Sequence, residues 1–161
     1  MPETDAVGNY VRLTRLIRAP REKVYDAWLD PAVRQLWWCA SPEMKAGRCE
    51  IDAKVGGRYA VGMIGPDGTE YVARGEFITL DRPNRIQFTW TWDHDPAFGG
   101  NSQVTINFHE TTHHDAPATE LVLLHERLDT PHARSEHTTG WLGCLRALGG
   151  HFAALADQAK P

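Results

Sequence analysis

Long hydrophobic runs, paired cysteines and an excess of basic residues are all missing from this 161-residue sequence. No apolar stretch approaches the roughly 20 residues that cross a bilayer, which argues against membrane insertion. Residues 1–8 are acidic and polar, without the basic start and apolar stretch of a signal peptide. We therefore expect a cytoplasmic protein.

The charge balance excludes another class of partner. The chain has 17 Lys and Arg against 21 Asp and Glu, for a formal net charge of −4 at pH 7. Nucleic acids and anionic membranes bind to basic faces, and no arginine–aromatic cluster changes this balance. The sequence predicts no nucleic-acid partner.

Cysteine and the common cofactor motifs are also scarce. Cys39, Cys49 and Cys144 are widely spaced, and no C-x-x-C pair for zinc or redox chemistry is present. We expect them to be small buried residues in a reducing cytoplasm. The sequence contains no G-x-S-x-G, Walker loop or dinucleotide fingerprint, so we predict no cofactor.

Histidine is more abundant, with eight residues, but its pattern does not predict a metal site. His109, His113 and His114 lie at a strand end and in a polar loop, where solvated histidines are common. His132 and His137 are five apart, and the H-E-x-x-H motif is absent. We predict no metal.

Aromatic residues are plentiful: six Trp, five Phe and four Tyr supply material for one interior. The length suits a single domain over residues 1–161, structured from about 10 to 156. Alternation predicts a first strand over residues 10–18. Two short helices follow, the second with Asp30 as N-cap and Pro31 at its first position. Their apolar faces are Val24, Ala27 and Trp28, then Val33, Leu36 and Trp37.

Residues 46–126 are typical of strands and turns, and with the first strand they predict about seven strands. Pro66-Asp67-Gly68 predicts a hairpin turn between strands 58–64 and 70–80, and residues 95–100 are a Gly- and Pro-rich connection.

A helix then begins at Pro131 or Ser135, with Thr130 as N-cap for the earlier start, and ends near Ala156. Its apolar stripe is Trp141, Leu145, Leu148, Phe152 and Leu155. Its four glycines, Gly140, Gly143, Gly149 and Gly150, suggest close approach by the sheet backbone.

Alternation along the strands assigns the inward faces, because residues two apart lie on one side of a sheet. These faces are Tyr59, Val61 and Met63; Ala73, Gly75 and Phe77; Ile86, Phe88, Trp90, Trp92 and His94; Val104, Ile106 and Phe108; and Leu121, Leu123 and His125. The pattern predicts an α+β helix-grip fold, with a curved antiparallel sheet around the long C-terminal helix. The tryptophan-lined interior is either a pocket or a filled core.

The order of several motifs resembles the activator-of-Hsp90-ATPase-homologue family, within the START-like (SRPBCC) helix-grip superfamily. The motifs are Arg18-Ala19-Pro20, Asp30-Pro31, Trp37-Trp38, Gly56-Gly57-Arg58-Tyr59, Pro66-Asp67-Gly68, Phe88-Thr89-Trp90 and Gly140-Trp141. The resemblance implies a strand, two helices, six antiparallel strands and one long helix. Polyketide cyclases and lipid-transfer domains share the superfamily. Because the chain has no room for a co-chaperone's N-terminal domain, we do not expect Hsp90 stimulation.

Three functions stay open at this stage. The first is binding of a hydrophobic, aromatic or acyl small molecule, with Met63, Trp90, Trp92, Phe108 and Trp141 as walls and His94 and His125 as polar contacts. The second is a polyketide cyclase-like enzyme in which His125 and His94, with Tyr59 or Tyr71, act on protons. The third is a protein-interaction module or homodimer.

Overall fold

The computed structural model describes residues 8–95, 98 and 101–159. Two short helices separate the first strand from the other six, and one long helix closes the chain. The elements are β1 Tyr10–Ile17, α1 Arg21–Leu29, α2 Pro31–Trp37, β2 Lys45–Ile51, β3 Arg58–Ile64, β4 Glu70–Asp81, β5 Arg85–Trp92, β6 Ser102–His113, β7 Ala116–Glu126 and α3 Pro131–Gln158. The connection over residues 95–100 lies mostly outside the described residues.

All seven strands form one antiparallel sheet in the order β1-β7-β6-β5-β4-β3-β2. The two strands that flank α1 and α2 are therefore its opposite edges. The sheet curls around α3, which confirms the predicted α+β helix-grip fold. Within the described residues, no helix is long and apolar enough to cross a membrane.

Side-chain caps set where two of the helices begin. The Asp30 carboxylate accepts a hydrogen bond from the backbone N–H of Ala32 at 3.0 Å, and the Thr130 hydroxyl accepts one from Ala133 at 3.0 Å. Each satisfies an N–H that has no partner within its helix. The predicted caps are confirmed, and α3 takes the earlier of its two predicted starts.

The core lies between the concave side of the sheet and α3. Fully buried aliphatic residues from both layers meet there: Ile86, Ile106, Leu121, Leu123, Leu145 and Leu148. Ala73 and Phe77 face inward on β4 as predicted.

Two residues predicted to be apolar contacts are exposed instead. Leu36 is 69% exposed because Arg34 and Trp37, three residues apart, occupy the buried side of the short helix α2. Leu36 is rotated by about 100° from Trp37, which points it to solvent. Leu155 is 47% exposed because Phe152 is the last buried residue of α3.

The four glycines of α3 do not share one role, and the predicted approach of the sheet backbone is wrong. At Gly140 and Gly150 an added Cβ would meet open space, and at Gly149 it would contact the side chain of Arg15. Only Gly143 is approached by backbone: a Cβ would lie 1.7 Å from the carbonyl oxygen of Ala40. That oxygen belongs to the loop between α2 and β2.

Candidate ligand cavity

A cavity of about 230 Å³ opens between the strands β3–β5 and the first half of α3. The loop after α2 covers one side of it. Its wall is mostly aromatic and sulfur-containing, with a few polar groups. The lining residues are Trp38, Ala40, Met44, Met63, Tyr71, Trp90, Trp92, His94, Phe98, Glu136, His137, Gly140, Trp141 and Cys144.

Four indoles form the inner wall, and they come from three separate parts of the chain. Trp90 and Trp92 lie two apart on β5 and pack at right angles, with ring centroids 5.2 Å apart. Trp141 of α3 lies 5.1 Å from Trp90, and Trp38 lies 5.8 Å from Trp141. Edge-to-face packing of this kind stabilises aromatic pairs beyond simple burial and holds the rings in place.

The structure brings five of the seven predicted site residues together on this wall: Met63, Trp90, Trp92, His94 and Trp141. His94 follows the end of β5, exposed beside the rings of Tyr71 and Trp92 at 5.2 and 5.4 Å. Its position is therefore the mouth of the cavity.

Phe108 and His125, the other two predicted site residues, do not line the cavity. Phe108 is 1% exposed and packs against Tyr25 of α1, with ring centroids 5.4 Å apart. It shares the concave side of the sheet with the wall tryptophans, but α1 covers that end. Alternation alone cannot separate these two regions, because it assigns a side of the sheet and not a position along it.

His125 lies behind the cavity wall with no exposed surface. Its Nδ1 accepts a hydrogen bond from the indole N–H of Trp141 at 3.0 Å, so its proton is on Nε2, which donates to the Ser102 hydroxyl at 2.8 Å. Ser102 donates in turn to the Trp90 carbonyl oxygen at 3.2 Å. Both ring nitrogens of His125 are therefore hydrogen-bonded within the protein, one directly to Trp141 and the other to Trp90 through Ser102.

His137 is a second buried histidine, and it was considered only as a metal ligand from the sequence. Its Nε2 accepts from the indole N–H of Trp92 at 3.0 Å, and its Nδ1 donates to the carbonyl oxygen of Ala133 at 2.7 Å. The signal that could have found it is helical spacing, since His137 precedes Trp141 by one turn on the buried stripe of α3.

Burial lowers the pKa of both histidines. Desolvation lowers the pKa of His125 far below its ordinary value, and the nearby His137 lowers it further; the two rings are 4.8 Å apart. Desolvation also lowers the pKa of His137. Both side chains are neutral at pH 7, which leaves their lone pairs free to accept the tryptophan N–H groups.

The lowered pKa values of His125 and His137 predict that the folded protein loses stability in mild acid. Below the unfolded pKa of about 6.5, the unfolded chain binds two protons that the folded chain excludes. The free energy of unfolding should then fall by about 1.4 kcal/mol per pH unit for each histidine, until the pH reaches that histidine's folded pKa. Chemical denaturation between about pH 7 and pH 5 measures this slope.

Two variants serve as controls for this pH dependence. Replacing His137 with Gln should reduce the slope, because one of the two buried imidazoles is removed, and the same change at the exposed His109 controls for the loss of a surface histidine. A free energy of unfolding that stays constant over this pH range would contradict the assignment of both buried imidazoles as neutral.

Burial keeps two other reactive side chains protonated at neutral pH. Tyr59 donates its hydroxyl proton to the Thr89 carbonyl oxygen, and burial raises its pKa. Cys144 borders the cavity, but burial raises the pKa of its thiol, so it is not a thiolate at neutral pH. Among the described residues, no group of three His, Cys, Asp or Glu side chains could hold a metal ion.

A curled antiparallel sheet around one long helix, with an aromatic cavity between them, defines a helix-grip domain. Residues 18–153 match the family model described as Activator of Hsp90 ATPase homolog 1-like protein. The chain belongs to this family, as the sequence resemblance predicted. No curated protein matches the chain.

Solved structures show the same architecture. A protein from Chromobacterium violaceum is 26% identical with a TM-score of 0.76, over 89% of this chain and 96% of that one. The AHSA1 protein from Silicibacter pomeroyi is 22% identical with a TM-score of 0.74, over 90% and 98% of the two chains. An AHSA1-like protein from Aeromonas hydrophila is 22% identical with a TM-score of 0.71, over 94% and 98%. Like the chain itself, these relatives carry the fold over nearly their whole length.

Proposed function

We propose that this chain is a cytoplasmic binding protein for a small aromatic or short acyl molecule. The observation that carries the proposal is the 230 Å³ cavity walled by four indoles. Concave, mostly apolar sites with a few polar groups are the usual form of small-molecule pockets. A tightly packed core would leave no such space, because protein interiors contain few voids larger than a water molecule.

The volume of the cavity limits the size of its ligand. An apolar cavity of about 150 Å³ holds one benzene molecule, and pockets for drug-sized ligands measure about 300–1,000 Å³. At 230 Å³, this cavity has room for a bicyclic ring system or a short branched chain. A compact aromatic ligand also gains from stacking against the indoles.

Polar groups lie where they would orient such a ligand. The four indoles form the floor, whereas Tyr71, His94 and Glu136 are partly or fully exposed at the mouth. A ligand would therefore place its ring system inward and its polar end toward solvent. Binding is favoured over catalysis because both ring nitrogens of His125 and of His137 are hydrogen-bonded within the protein.

Direct titration tests the proposal. Indole and naphthalene derivatives, added while the heat of binding is recorded by isothermal titration calorimetry, should bind in a saturable way. Native mass spectrometry should show one bound molecule per chain. If neither calorimetry nor mass spectrometry detects binding of any compact aromatic probe at millimolar concentration, the proposal is wrong.

A blocked-cavity variant gives a sharper test. Gly140 lines the cavity and has open space around an added Cβ, so Gly140→Leu should place an isobutyl group in the cavity without disturbing the packed core. Because the isobutyl group occupies space that the ligand needs, we expect the affinity for the aromatic probe to fall at least about tenfold. A tenfold loss of affinity corresponds to about 1.4 kcal/mol of binding free energy. Isothermal titration calorimetry measures the change.

The control is the same substitution ten residues further along the helix. Gly150 also has open space around an added Cβ, but it is exposed and does not border the cavity. Gly150→Leu should leave the affinity unchanged, and both variants gain helix propensity. Equal affinities for the two variants would place the ligand elsewhere.

A further inference from the structure

The formal charge carried by the residues around the cavity is negative. Among the lining residues that the structure describes, Glu136 is the only Asp or Glu and none is Lys or Arg. Glu136 is exposed on the first turns of α3, one residue before His137. A ligand with its polar end at the mouth would therefore meet a carboxylate and no permanent cation.

The wall itself attracts cations. Six of its side chains are Trp, Tyr or Phe, namely Trp38, Tyr71, Trp90, Trp92, Phe98 and Trp141. The face of an aromatic ring carries partial negative charge, and a cation within about 6 Å of a ring centroid is attracted to it, most strongly by tryptophan. Several rings around one cavity add their contributions.

The indole N–H donors of the inner wall are all engaged or buried. The indole N–H groups of Trp92 and Trp141 donate to His137 and His125. Those of Trp38 and Trp90 have no exposed surface, so they do not open onto the cavity. None of the four indoles can therefore donate to a ligand carboxylate without rearrangement. A carboxylate buried among the four indoles would therefore lose its hydration without gaining a donor, which is costly.

One buried cation near the cavity, Arg34, would favour an anionic ligand over a cationic one. Its guanidinium lies 4.0 Å from the ring centroid of Trp38 and donates to the Trp28 carbonyl oxygen at 2.7 Å. Burial lowers its pKa to about 10, so it stays charged at pH 7. Arg34 does not border the cavity, however, whereas the Glu136 carboxylate does. A ligand at the mouth can contact Glu136 directly, whereas Arg34 acts only from behind the lining residues, and Coulomb energy falls with separation.

We infer that the cavity selects aromatic amines, as organic cations, over aromatic acids of the same size. This inference rests on the proposed binding function and adds the charge of the ligand to it. The ring system would occupy the indole-lined floor, and the ammonium group would lie at the mouth between the aromatic rings and Glu136.

Three indole derivatives of matched size test the charge preference: tryptamine, which is cationic; tryptophol, which is neutral; and indole-3-acetate, which is anionic. At low ionic strength and pH 7, where screening is weak, we expect tryptamine to bind most tightly and indole-3-acetate most weakly. The ratio of their dissociation constants should be about tenfold or more, from cation–π and ion-pair contributions together. Isothermal titration calorimetry measures all three.

A pair of variants locates the source of the preference. Glu136→Gln should weaken tryptamine binding by about threefold to fivefold, the effect of a partly exposed ion pair, and leave tryptophol unchanged. Glu120→Gln removes the same charge from an exposed position on β7 that does not border the cavity, and it should affect neither ligand.

The outcomes separate this inference from the proposed function. Equal affinities for the three probes, or tightest binding of indole-3-acetate, would overturn the charge preference and leave the binding function intact. Equal weakening by Glu136→Gln and Glu120→Gln would reduce the preference to a general effect of net charge and would also overturn it. If none of the probes binds, both proposals fail together.

Discussion

Replacing Trp141 with alanine is expected to lower the free energy of unfolding by about 3–5 kcal/mol, the range for deleting a large aromatic side chain from a core. Trp141 is 3% exposed and packs on Trp28, Trp38 and Trp90. Its N–H also donates to His125, which would keep an unpaired buried nitrogen. Equilibrium denaturation monitored by circular dichroism measures the loss.

Two further substitutions separate the contributions. Trp141→Phe keeps a ring in the site but removes the N–H donor, and it should cost less, with about 1–3 kcal/mol attributable to the unpaired His125 nitrogen. Leu142→Ala, at the adjacent position that is 52% exposed, should change stability by no more than about 0.5 kcal/mol. A cost below about 1 kcal/mol for Trp141→Ala would show that the indole belongs to a mobile cavity mouth and not to the core.

Gly143→Ala is expected to destabilise the fold by about 3 kcal/mol or more, although alanine is the better helix former. The added Cβ would lie 1.7 Å from the carbonyl oxygen of Ala40 and 2.5 Å from its carbonyl carbon. Backbone atoms cannot rotate away as a flexible side chain can, so either α3 or the loop after α2 must shift. Overpacking of this kind typically lowers the free energy of unfolding by about 1–3 kcal/mol. Because the added Cβ would overlap the Ala40 carbonyl group, we expect a cost at or above the upper end of that range.

The other glycines of α3 provide internal controls. Gly140→Ala and Gly150→Ala meet no neighbouring atoms and should stabilise the protein by up to about 1 kcal/mol through helix propensity alone. If Gly143→Ala behaved like these two variants, the close contact between α3 and the loop after α2 would be wrong. That contact matters for the site, because the same loop supplies Trp38, Ala40 and Met44 to the cavity wall.

Both predictions concern helix α3, which packs the core and also lines the cavity. Helix α3 packs the core with Leu145, Leu148 and Phe152 in its second half and borders the cavity with His137, Gly140 and Trp141 in its first half. The cavity stays open because the wall tryptophans are held by buried histidines and by one another. Stability and the shape of the site therefore depend on the same side chains.

Much of the fold could be predicted from the sequence because its signals are local. The caps at Asp30 and Thr130 require only the residues of one helical turn. The alternation through Phe88 and Trp90 requires only the pleat of one strand. The errors at Leu36 and Leu155 arose because Leu36 faces solvent on a short helix and Leu155 lies beyond the last buried residue of α3.

The candidate site was only partly predictable because it depends on contacts between distant segments. Alternation correctly placed Trp90, Trp92 and Met63 on the concave side of the sheet, and the cavity borders all three. It could not show that Phe108 lies under α1, nor that His125 and His137 serve as acceptors for indole N–H groups. Those pairings join residues 16 and 45 positions apart, beyond the reach of any local pattern.

The sequence by itself determined the order of the elements, the side of the sheet on which aromatic residues such as Phe88, Trp90 and Phe108 lie, and the family. Tertiary structure alone decided which of those aromatic residues border an open cavity and which are core. The physical reason is that burial follows from periodicity, whereas an unfilled volume follows from the curvature of the sheet, the position of α3 along it and the loop that meets Gly143. That loop supplies Trp38, which together with Glu136 completes a candidate site whose other three indoles, Trp90, Trp92 and Trp141, were predicted from the sequence.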